Sequence, residues 1–288
     1  MAIVTGANAG LGYETAKGLA SKDMQVIMAC RNLKKGEKAR DQILSTHPNA
    51  RLKVMELDLA NLDAVRDFAA NFRGAHDRLD LLINNAGVMA PPYSLTDDGF
   101  ESQLGVNYLG HFVLTGLLLP MLKDTPDSRV VTLSSNAHKR GRIHFDDLNF
   151  QKDYSRFEAY GQSKLACLMF TMELERKLES KGKDNPISVA AHPGISPTNL
   201  GKYLPWWTKL LAPLFLPFFT HSPKSGAEPT LYAALGEDVE GSDYFGPDGY
   251  REFKGRATKV KPEPHARDEE TAKKLWKVSE ELTGFKFF

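Results

Sequence analysis

Residues 1–12 read MAIVTGANAGLG, a short apolar run that passes directly into a loop with glycines at positions 6, 10 and 12. The apolar run predicts a first strand, and the segment near 10–21 predicts a first helix. Glycines at such a junction let the backbone turn tightly and approach a pyrophosphate, whose charge then sits on the helix N-terminus. The spacing is GxxxGxG rather than the commoner GxGxxG, and a purely structural turn is the alternative. The location after an N-terminal strand favours nucleotide binding.

The same alternation of apolar strand and helix continues along the chain. Further strands are predicted at QVIMAC (25–30), LKVMELDL (52–59), DLLINNAG (80–87), RVVTLSS (129–135) and ISVAAHPG (187–194). Helices are predicted near 32–46, 62–73, 98–123, 157–181 and 266–284, the last with Gly284 as its stop. Runs rich in Val, Ile and Leu that are separated by helices imply a parallel sheet buried on both faces. We therefore predict an α/β protein, a single-domain (1–288) doubly wound parallel sheet, or Rossmann fold, with helices on both faces and ligands at the carboxyl ends of the strands.

The bulk composition is that of an ordinary globular protein. Of 288 residues, 42% are apolar and 25% charged, and the net charge is +1. No overall field therefore favours nucleic acid or an acidic membrane. The two cysteines, Cys30 and Cys167, form no paired motif, which fits a reducing compartment. No basic-then-apolar signal precedes the first strand, so a cytoplasmic protein is expected, although a chain trimmed of a leading anchor or transit peptide would look the same.

The stretch AYGQSK (159–164) places a tyrosine and a lysine on one face of a predicted helix, since Tyr160 and Lys164 are four residues apart. A neighbouring ammonium stabilises a phenolate, which would make Tyr160 a usable acid and base at neutral pH. The alternative is an ordinary surface helix, because this spacing is common.

Several motifs in this order resemble the short-chain dehydrogenase/reductase family. They are TGANAGLG (5–12), NNAG (84–87), Asn107, LSS (133–135), YGQSK (160–164) and HPG (192–194). Within the family the chain is similar to the retinol dehydrogenase branch, on the segments ACRN (29–32), NYLGHF (107–112), SSNAHKRGRIHFDDL (134–148) and TAKKLWKVSEEL (271–282).

The resemblance implies a catalytic role for each of four residues. Tyr160 would be the general acid that protonates a carbonyl oxygen, and Lys164 would stabilise its phenolate and hold the nicotinamide ribose. Ser135 would hydrogen-bond the substrate oxygen, with Ser134 as the alternative because the strand register is not visible in the sequence. Asn107 would support a water chain that refills the proton.

The residues near position 30 bear on the choice of cofactor. An acidic side chain closing the second strand would bind the adenosine ribose and repel a 2′-phosphate. Here Cys30 and Arg31 stand in that place, followed by Lys34 and Lys35. Arginine with no opposing carboxylate favours NADP(H), whereas the alternative is a solvated helix start.

The resemblance also implies a wider set of cofactor contacts. The complete prediction is Gly6, Asn8, Gly10, Leu11, Gly12, Arg31, Lys35, Asp58, Leu59, Asn85, Ala86, Gly87, Tyr160, Lys164, Pro193, Gly194, Ile195 and Thr198. Asp58 is equally consistent with a strand-end cap. His192 is interpreted as structural, and the histidines show no metal-ligand spacing, so we expect no catalytic metal.

The stretch YLPWWTKLLAPLFLPFF (203–219) is strongly apolar but interrupted by three prolines and a lysine. It falls in the family's variable substrate loop, at about 196–225, and could form a pocket for a lipophilic aldehyde or ketone. A core helix and a peripheral membrane patch are the alternatives.

Two functions are therefore considered. The first is an NADPH-dependent oxidoreductase acting on a lipophilic carbonyl or alcohol, such as a retinal-like aldehyde or a bulky ketone. The second is an NADP(H)-sensing module that contacts a protein or membrane partner. The long helices near 98–123 and 157–181 resemble a dimer-forming pair, so a homodimer is a further expectation; no nucleic-acid partner is expected.

Overall fold

The computed structural model describes residues 1–182, 185–195 and 221–288. Within them, eight strands form one sheet in the order β3-β2-β1-β4-β5-β6-β7-β8. The strands are β1 Ala2–Thr5, β2 Val26–Cys30, β3 Leu52–Glu56, β4 Leu81–Asn84, β5 Arg129–Leu133, β6 Ile187–Ala191, β7 Tyr244–Pro247 and β8 Ala257–Lys259. Each pair from β3 to β7 is parallel, and only β8 runs antiparallel to its neighbour.

Helices connect the strands and cover the sheet. They are α1 Gly10–Ala20, α2 Leu33–Thr46, α3 Leu62–Ala75, α4 Ser102–Leu104, α5 Gly110–Lys123, α6 Arg156–Glu179, α7 Pro223–Leu235 and α8 Glu269–Thr283. A π-helical turn, Gly105–Leu109, joins α4 to α5, and a 3₁₀ turn, Asn136–Arg140, follows β5.

The core lies on both faces of the sheet. All four residues of β1 are buried, with Ile3 in one apolar cluster and Ala2 and Val4 in the other. Alternate side chains of a strand point to opposite faces, so a wholly apolar strand requires helices on both sides. The predicted doubly wound α/β sheet is confirmed, and it brings the carboxyl ends of β1, β4, β5 and β6 to one edge.

The continuous helix Ser102–Lys123 is long and apolar enough to cross a membrane by length and composition. However, 78% of its most apolar window is buried inside the protein, as expected for a core helix. α8 packs on α6, and the Phe287 ring contacts Phe112 and Phe170 edge-on and Trp276 at a tilt. These contacts cover part of the helix pair on which the homodimer was expected.

One helix begins later than predicted, and three elements were not predicted. The helix predicted near 98–123 begins only at Ser102, because Glu101 still pairs with Leu95 in an isolated bridge. β7, β8 and α7 were not predicted. The range 196–225 overlaps the start of α7 at Pro223, and residues 203–219 lie outside the described residues.

Candidate active site

The glycine loop between β1 and α1 has the backbone that only glycine adopts readily. Gly6 and Gly10 have φ of +68° and +57°, in the left-handed region that disfavours residues with a Cβ. A Cβ on Gly12 would lie 2.5 Å from the Gly6 carbonyl oxygen. The first turn of α1 therefore sits directly against the loop.

The N-terminus of α1 is suited to an anion. Ala9 caps the helix without a side-chain hydrogen bond, and its first turn holds no acidic residue. By contrast, α2, α3 and α8 are each capped by a side chain, those of Asn32, Asn61 and Asp268. Unsatisfied N–H groups and the helix dipole favour negative charge at such an end. The loop thus fits the pyrophosphate of a dinucleotide.

Thr5 at the end of β1 fastens the NNAG segment to this loop. Its Oγ1 accepts hydrogen bonds from the backbone N–H groups of Asn85 and Ala86, both at 2.9 Å. The Asn85 side chain returns a bond of 2.6 Å to the Thr5 carbonyl. The predicted cofactor residues Asn85 and Ala86 are therefore held beside Gly6, whose hypothetical Cβ would lie 3.0 Å from the Ala86 Cα.

His111 links Thr5 to Asn107. Its Nε2 lies 2.9 Å from Thr5 Oγ1, and its Nδ1 lies 3.0 Å from the Asn107 carbonyl oxygen. The carbonyl can only accept, so Nδ1 carries the proton and donates, while Nε2 accepts from the threonine hydroxyl. Burial, the largest effect, lowers the pKa of His111 to about 4, which keeps the ring neutral. The imidazole of His111 thereby links the end of β1, next to the glycine loop, to the π-helical turn that carries Asn107.

The stability contributed by His111 is expected to depend on pH. The folded pKa of about 4 lies below the ordinary value of 6.5, so between these values the unfolded chain binds a proton and the folded chain does not. The contribution is therefore present above about pH 6.5 and is lost as the pH falls towards 4. The unfolding free energy of wild type relative to His111→Gln should fall by about 2 kcal/mol between pH 7 and pH 5.

Urea unfolding of both proteins at the two pH values measures this change. Burial raises the pKa of Glu175 to about 7, so the contribution of Glu175 to the unfolding free energy changes with pH in the opposite direction. Subtracting the unfolding free energy of His111→Gln from that of wild type cancels this contribution. Parallel pH profiles for the two proteins would contradict the assigned neutral state of His111.

Asn107 lies in the middle of the π-helical turn, a feature often found at functional sites. Its Nδ2 donates to the Val88 carbonyl (3.0 Å) and to Ser163 Oγ (2.9 Å), and its Oδ1 accepts from the Val88 N–H (2.8 Å). Three of the four hydrogen bonds an asparagine side chain can make are thus used. One lone pair of Oδ1 remains beside Gly87, where a Cβ would lie 3.2 Å from Oδ1.

Lys164 reaches the same place from α6. Its buried Nζ donates to the Leu133 carbonyl at 2.9 Å, and within the described part of the chain its other two protons are available. A Cβ on Gly87 would lie 3.5 Å from this Nζ. Lys164, Asn107 and Gly87 therefore meet at the carboxyl edge of β4 and β5.

The two serines after β5 have different surroundings. Ser134 is buried, and its hydroxyl donates to the Lys164 carbonyl at 2.8 Å. Ser135 is half-buried, and its Oγ accepts from the Ala137 N–H at 3.2 Å, as the cap of the 3₁₀ turn. The Ser134 hydroxyl thus donates its proton to the backbone, whereas the Ser135 hydroxyl donates to none of the residues that the structure describes.

Tyr160 lies one helical turn before Lys164 on α6, and 7% of its surface is exposed. α6 is buried along most of its length because it packs on β5, β6 and α8. The predicted surface-helix alternative is therefore wrong for this segment, since Tyr160 and Lys164 are both buried.

The residues that bear on the choice of cofactor lie at the ends of β2 and β3. Arg31 is 73% exposed, and its Nη1 lies 4.0 Å from Asp58 Oδ2. The expectation of an arginine without an opposing carboxylate is therefore only partly met, because Asp58 approaches it from the neighbouring strand. Asp58 Oδ1 also accepts from the Ala60 N–H at 3.0 Å, so it does cap the strand end. Lys35 is exposed on the first turn of α2.

The segment after β6 approaches the same edge. Gly194 has φ of +67°, and a Cβ there would lie 2.3 Å from the Phe253 carbonyl oxygen. The Ile195 N–H donates to that oxygen at 2.7 Å. Pro193, Gly194 and Ile195 are all half-buried. Thr198 lies outside the described residues.

Sequence reasoning missed Thr5 and His111. Both sit inside quoted motifs, TGANAGLG and NYLGHF, but nothing in the spacing shows that residues 106 positions apart share a hydrogen bond. A threonine that closes a buried strand immediately before a glycine loop is the one local signal that was available.

Comparison with known proteins agrees with this geometry. The family model described as short chain dehydrogenase matches residues 1–208. Mouse retinol dehydrogenase 13 is 44% identical over 98% of this chain and 83% of its own length. Mouse retinol dehydrogenase 12 is also 44% identical, over 99% of this chain and 86% of its own. A crystal structure of an uncharacterised protein from Mycobacterium paratuberculosis has a TM-score of 0.82 and 44% identity, covering 100% of this chain and 94% of that one.

The family match and these full-length similarities agree with the glycine loop, the NNAG segment and the Tyr160–Lys164 helix. They imply a nicotinamide dinucleotide as the cofactor. The chain belongs to the short-chain dehydrogenase family and is an oxidoreductase similar to the retinol dehydrogenases.

Proposed function

We propose that the protein is an NADPH-dependent reductase of lipophilic carbonyl compounds, with aldehydes of the retinal type as the leading substrate class. The observation that carries this proposal is that Lys164 Nζ and Asn107 Oδ1 both lie beside Gly87. Tyr160 precedes Lys164 by one turn of α6. The names of the similar proteins support a retinoid-like substrate, and the apolar stretch 203–219 supports a lipophilic one.

Bound NADPH supplies the hydride, and the glycine loop with the uncapped start of α1 would hold its pyrophosphate. Asn85, Ala86 and Gly87 would lie along the cofactor, as would the segment Pro193–Ile195. The two remaining protons of Lys164 Nζ suit the ribose hydroxyls of the nicotinamide half.

The chain's own residues then handle the proton. The Tyr160 hydroxyl donates its proton to the carbonyl oxygen, and the ammonium of Lys164 stabilises the phenolate that remains. The Ser135 hydroxyl donates a hydrogen bond to the same oxygen, which orients the carbonyl and stabilises its developing charge. The free lone pair of Asn107 Oδ1 would hold a water molecule near Lys164, through which the tyrosine regains its proton.

Arg31 is expected to decide the preference for NADPH over NADH. Its exposed guanidinium can bind a 2′-phosphate, and a charged hydrogen bond of this kind contributes about 1.5–3 kcal/mol. Arg31→Ala should therefore raise the Kd for NADPH at least about tenfold and leave the Kd for NADH unchanged. Titration of the reduced cofactors by fluorescence measures both.

Arg73→Ala removes an exposed arginine from the last turn of α3 and serves as the matched control. An equal loss of affinity for both cofactors in Arg31→Ala would show that Arg31 does not contact the 2′-phosphate.

The function itself is tested by following oxidation of NADPH with a panel of lipophilic aldehydes and ketones that includes retinal, with NADH in parallel. Turnover with NADPH is the expected result. Cofactor binding without turnover of any member would favour the NADP(H)-sensing module instead.

A further inference from the structure

The loop between β7 and β8 carries backbone strain at two consecutive residues. Arg251 and Glu252 have φ of +52° and +58°, in the left-handed region that residues with a Cβ seldom adopt. Such strain persists where surrounding contacts hold it, often at functional sites. Neither residue belongs to the motifs of the family, so their contacts need an explanation of their own.

One arm of these contacts reaches the turn that follows Ser135. Glu252 Oε1 lies 2.9 Å from Lys139 Nζ, within the 3₁₀ turn Asn136–Arg140. The Asn136 side chain donates to the carbonyls of Arg251 (3.3 Å) and Glu252 (3.1 Å). The turn capped by Ser135 is thus bound to the loop by one ion pair and two hydrogen bonds.

The other arm reaches the segment after β6. Glu252 Oε2 lies 3.0 Å from His192 Nε2, a close polar contact, and neither atom has a well-formed hydrogen bond to any of the described residues. The His192 ring is fully buried and lies directly against Gly246, where a Cβ would lie 2.0 Å from His192 Nε2. Beside this contact, the Ile195 N–H donates to the Phe253 carbonyl at 2.7 Å.

The hydrogen bonds fix the proton of His192. The Gly194 N–H donates to His192 Nδ1 at 3.2 Å, so Nδ1 carries no proton and the neutral ring must carry it on Nε2, facing Glu252. Burial, the largest effect, lowers the pKa of His192. Burial would raise the pKa of Glu252, but its contacts with His192 and Lys139 lower it to about 2. A cation, a carboxylate and a neutral imidazole therefore form a chain from Lys139 to Gly194.

We propose that Glu252 is a positioning residue that holds the turn of Ser135 and the segment Pro193–Ile195 in one fixed relation. The inference rests on the proposed function, in which Ser135 binds the carbonyl oxygen and Pro193–Ile195 lies beside the nicotinamide. Glu252 touches neither reactant. It sets the distance between the groups that do.

Weakening the contacts that Glu252 makes should therefore lower kcat. Glu252→Gln and Lys139→Met are each expected to reduce kcat about 10- to 100-fold, because misplacement of Ser135 is felt in the transition state. The KM for the carbonyl and the Kd for NADPH should stay within about threefold, since the glycine loop is untouched. Lys139→Arg keeps the cation and should retain most of the activity.

Lys259→Met is the matched control. It breaks an ion pair of similar length, 2.8 Å to Asp243, at the edge of the same sheet, and should keep the kcat of wild type. A wild-type kcat in Glu252→Gln, or losses confined to KM and Kd, would overturn the proposal.

Hydrogen exchange separates this inference from the proposed function, since it needs no turnover. Lys139 lies in the serine turn and does not contact Gly194, yet the amide of Gly194 should exchange about tenfold faster in Lys139→Met than in wild type, and should be unchanged in Lys259→Met. In wild type, nitrogen NMR should show His192 protonated on Nε2 alone. A proton on Nδ1, or an unchanged Gly194 amide, would overturn the coupling even if carbonyl reduction is confirmed.

Discussion

Tyr160→Phe is expected to lower kcat for carbonyl reduction by about 10²–10⁴-fold, the usual contribution of a positioned general acid. The substitution removes one hydroxyl from a ring that is 93% buried (7% exposed) on α6, so it leaves the packing intact. The Kd for NADPH should change by less than about threefold, because the glycine loop and Lys164 remain in place. Steady-state kinetics and cofactor titration measure the two quantities separately.

Tyr232→Phe is the matched control. It removes the hydroxyl of an exposed tyrosine of α7, which binds Asp238 at 2.9 Å, and should retain wild-type kcat. Turnover by Tyr160→Phe within about threefold of wild type would exclude Tyr160 as the proton donor, since any general acid contributes more than that.

Gly12→Ala is expected to weaken the binding of NADPH at least about tenfold. The added Cβ would lie 2.5 Å from the Gly6 carbonyl oxygen, a backbone atom, and 2.5 Å from Asn85 Nδ2. Overpacking of this kind costs about 1–3 kcal/mol, and it displaces the loop that faces the pyrophosphate. Fluorescence titration of NADPH and thermal unfolding together distinguish lost binding from lost folding.

Gly74→Ala provides the comparison for this variant. Gly74 lies in α3, and a Cβ there would meet nothing within 4 Å. Its substitution should leave NADPH binding unchanged and stabilise the fold by about 0.5–1 kcal/mol. If Gly12→Ala bound NADPH as tightly as Gly74→Ala, the loop would not be the pyrophosphate site.

The parts of the fold that could be predicted are those with strong local patterns. The six strands β1 to β6 are apolar runs between turn signals, and all six lie within one or a few residues of their predicted positions. β7 was not predicted because it contains Gly246 and Pro247, and both residue types are unusual inside a strand. α7 was not predicted because Gly226 and Pro229 interrupt the helical pattern of its sequence. Packing on α1 stabilises this helix instead.

The candidate site divides in the same way. Tyr160 and Lys164 could be paired from sequence because four residues on a helix fix their relation. Glu252 could not be placed beside Lys139, because 113 residues separate them and only the tertiary fold closes that distance.

Hydride transfer from NADPH to a carbonyl carbon, with Tyr160 as proton donor, can be followed by isotope labelling. NADPH deuterated at C4, in each of its two stereochemical forms, is incubated with retinal and the other lipophilic carbonyls, and the alcohol products are analysed by mass spectrometry. We expect one deuterium in the alcohol from one form only, and formation of that alcohol about 10²–10⁴-fold slower with Tyr160→Phe. Bound NADPH with no deuterated alcohol from any carbonyl would exclude carbonyl reduction as the function.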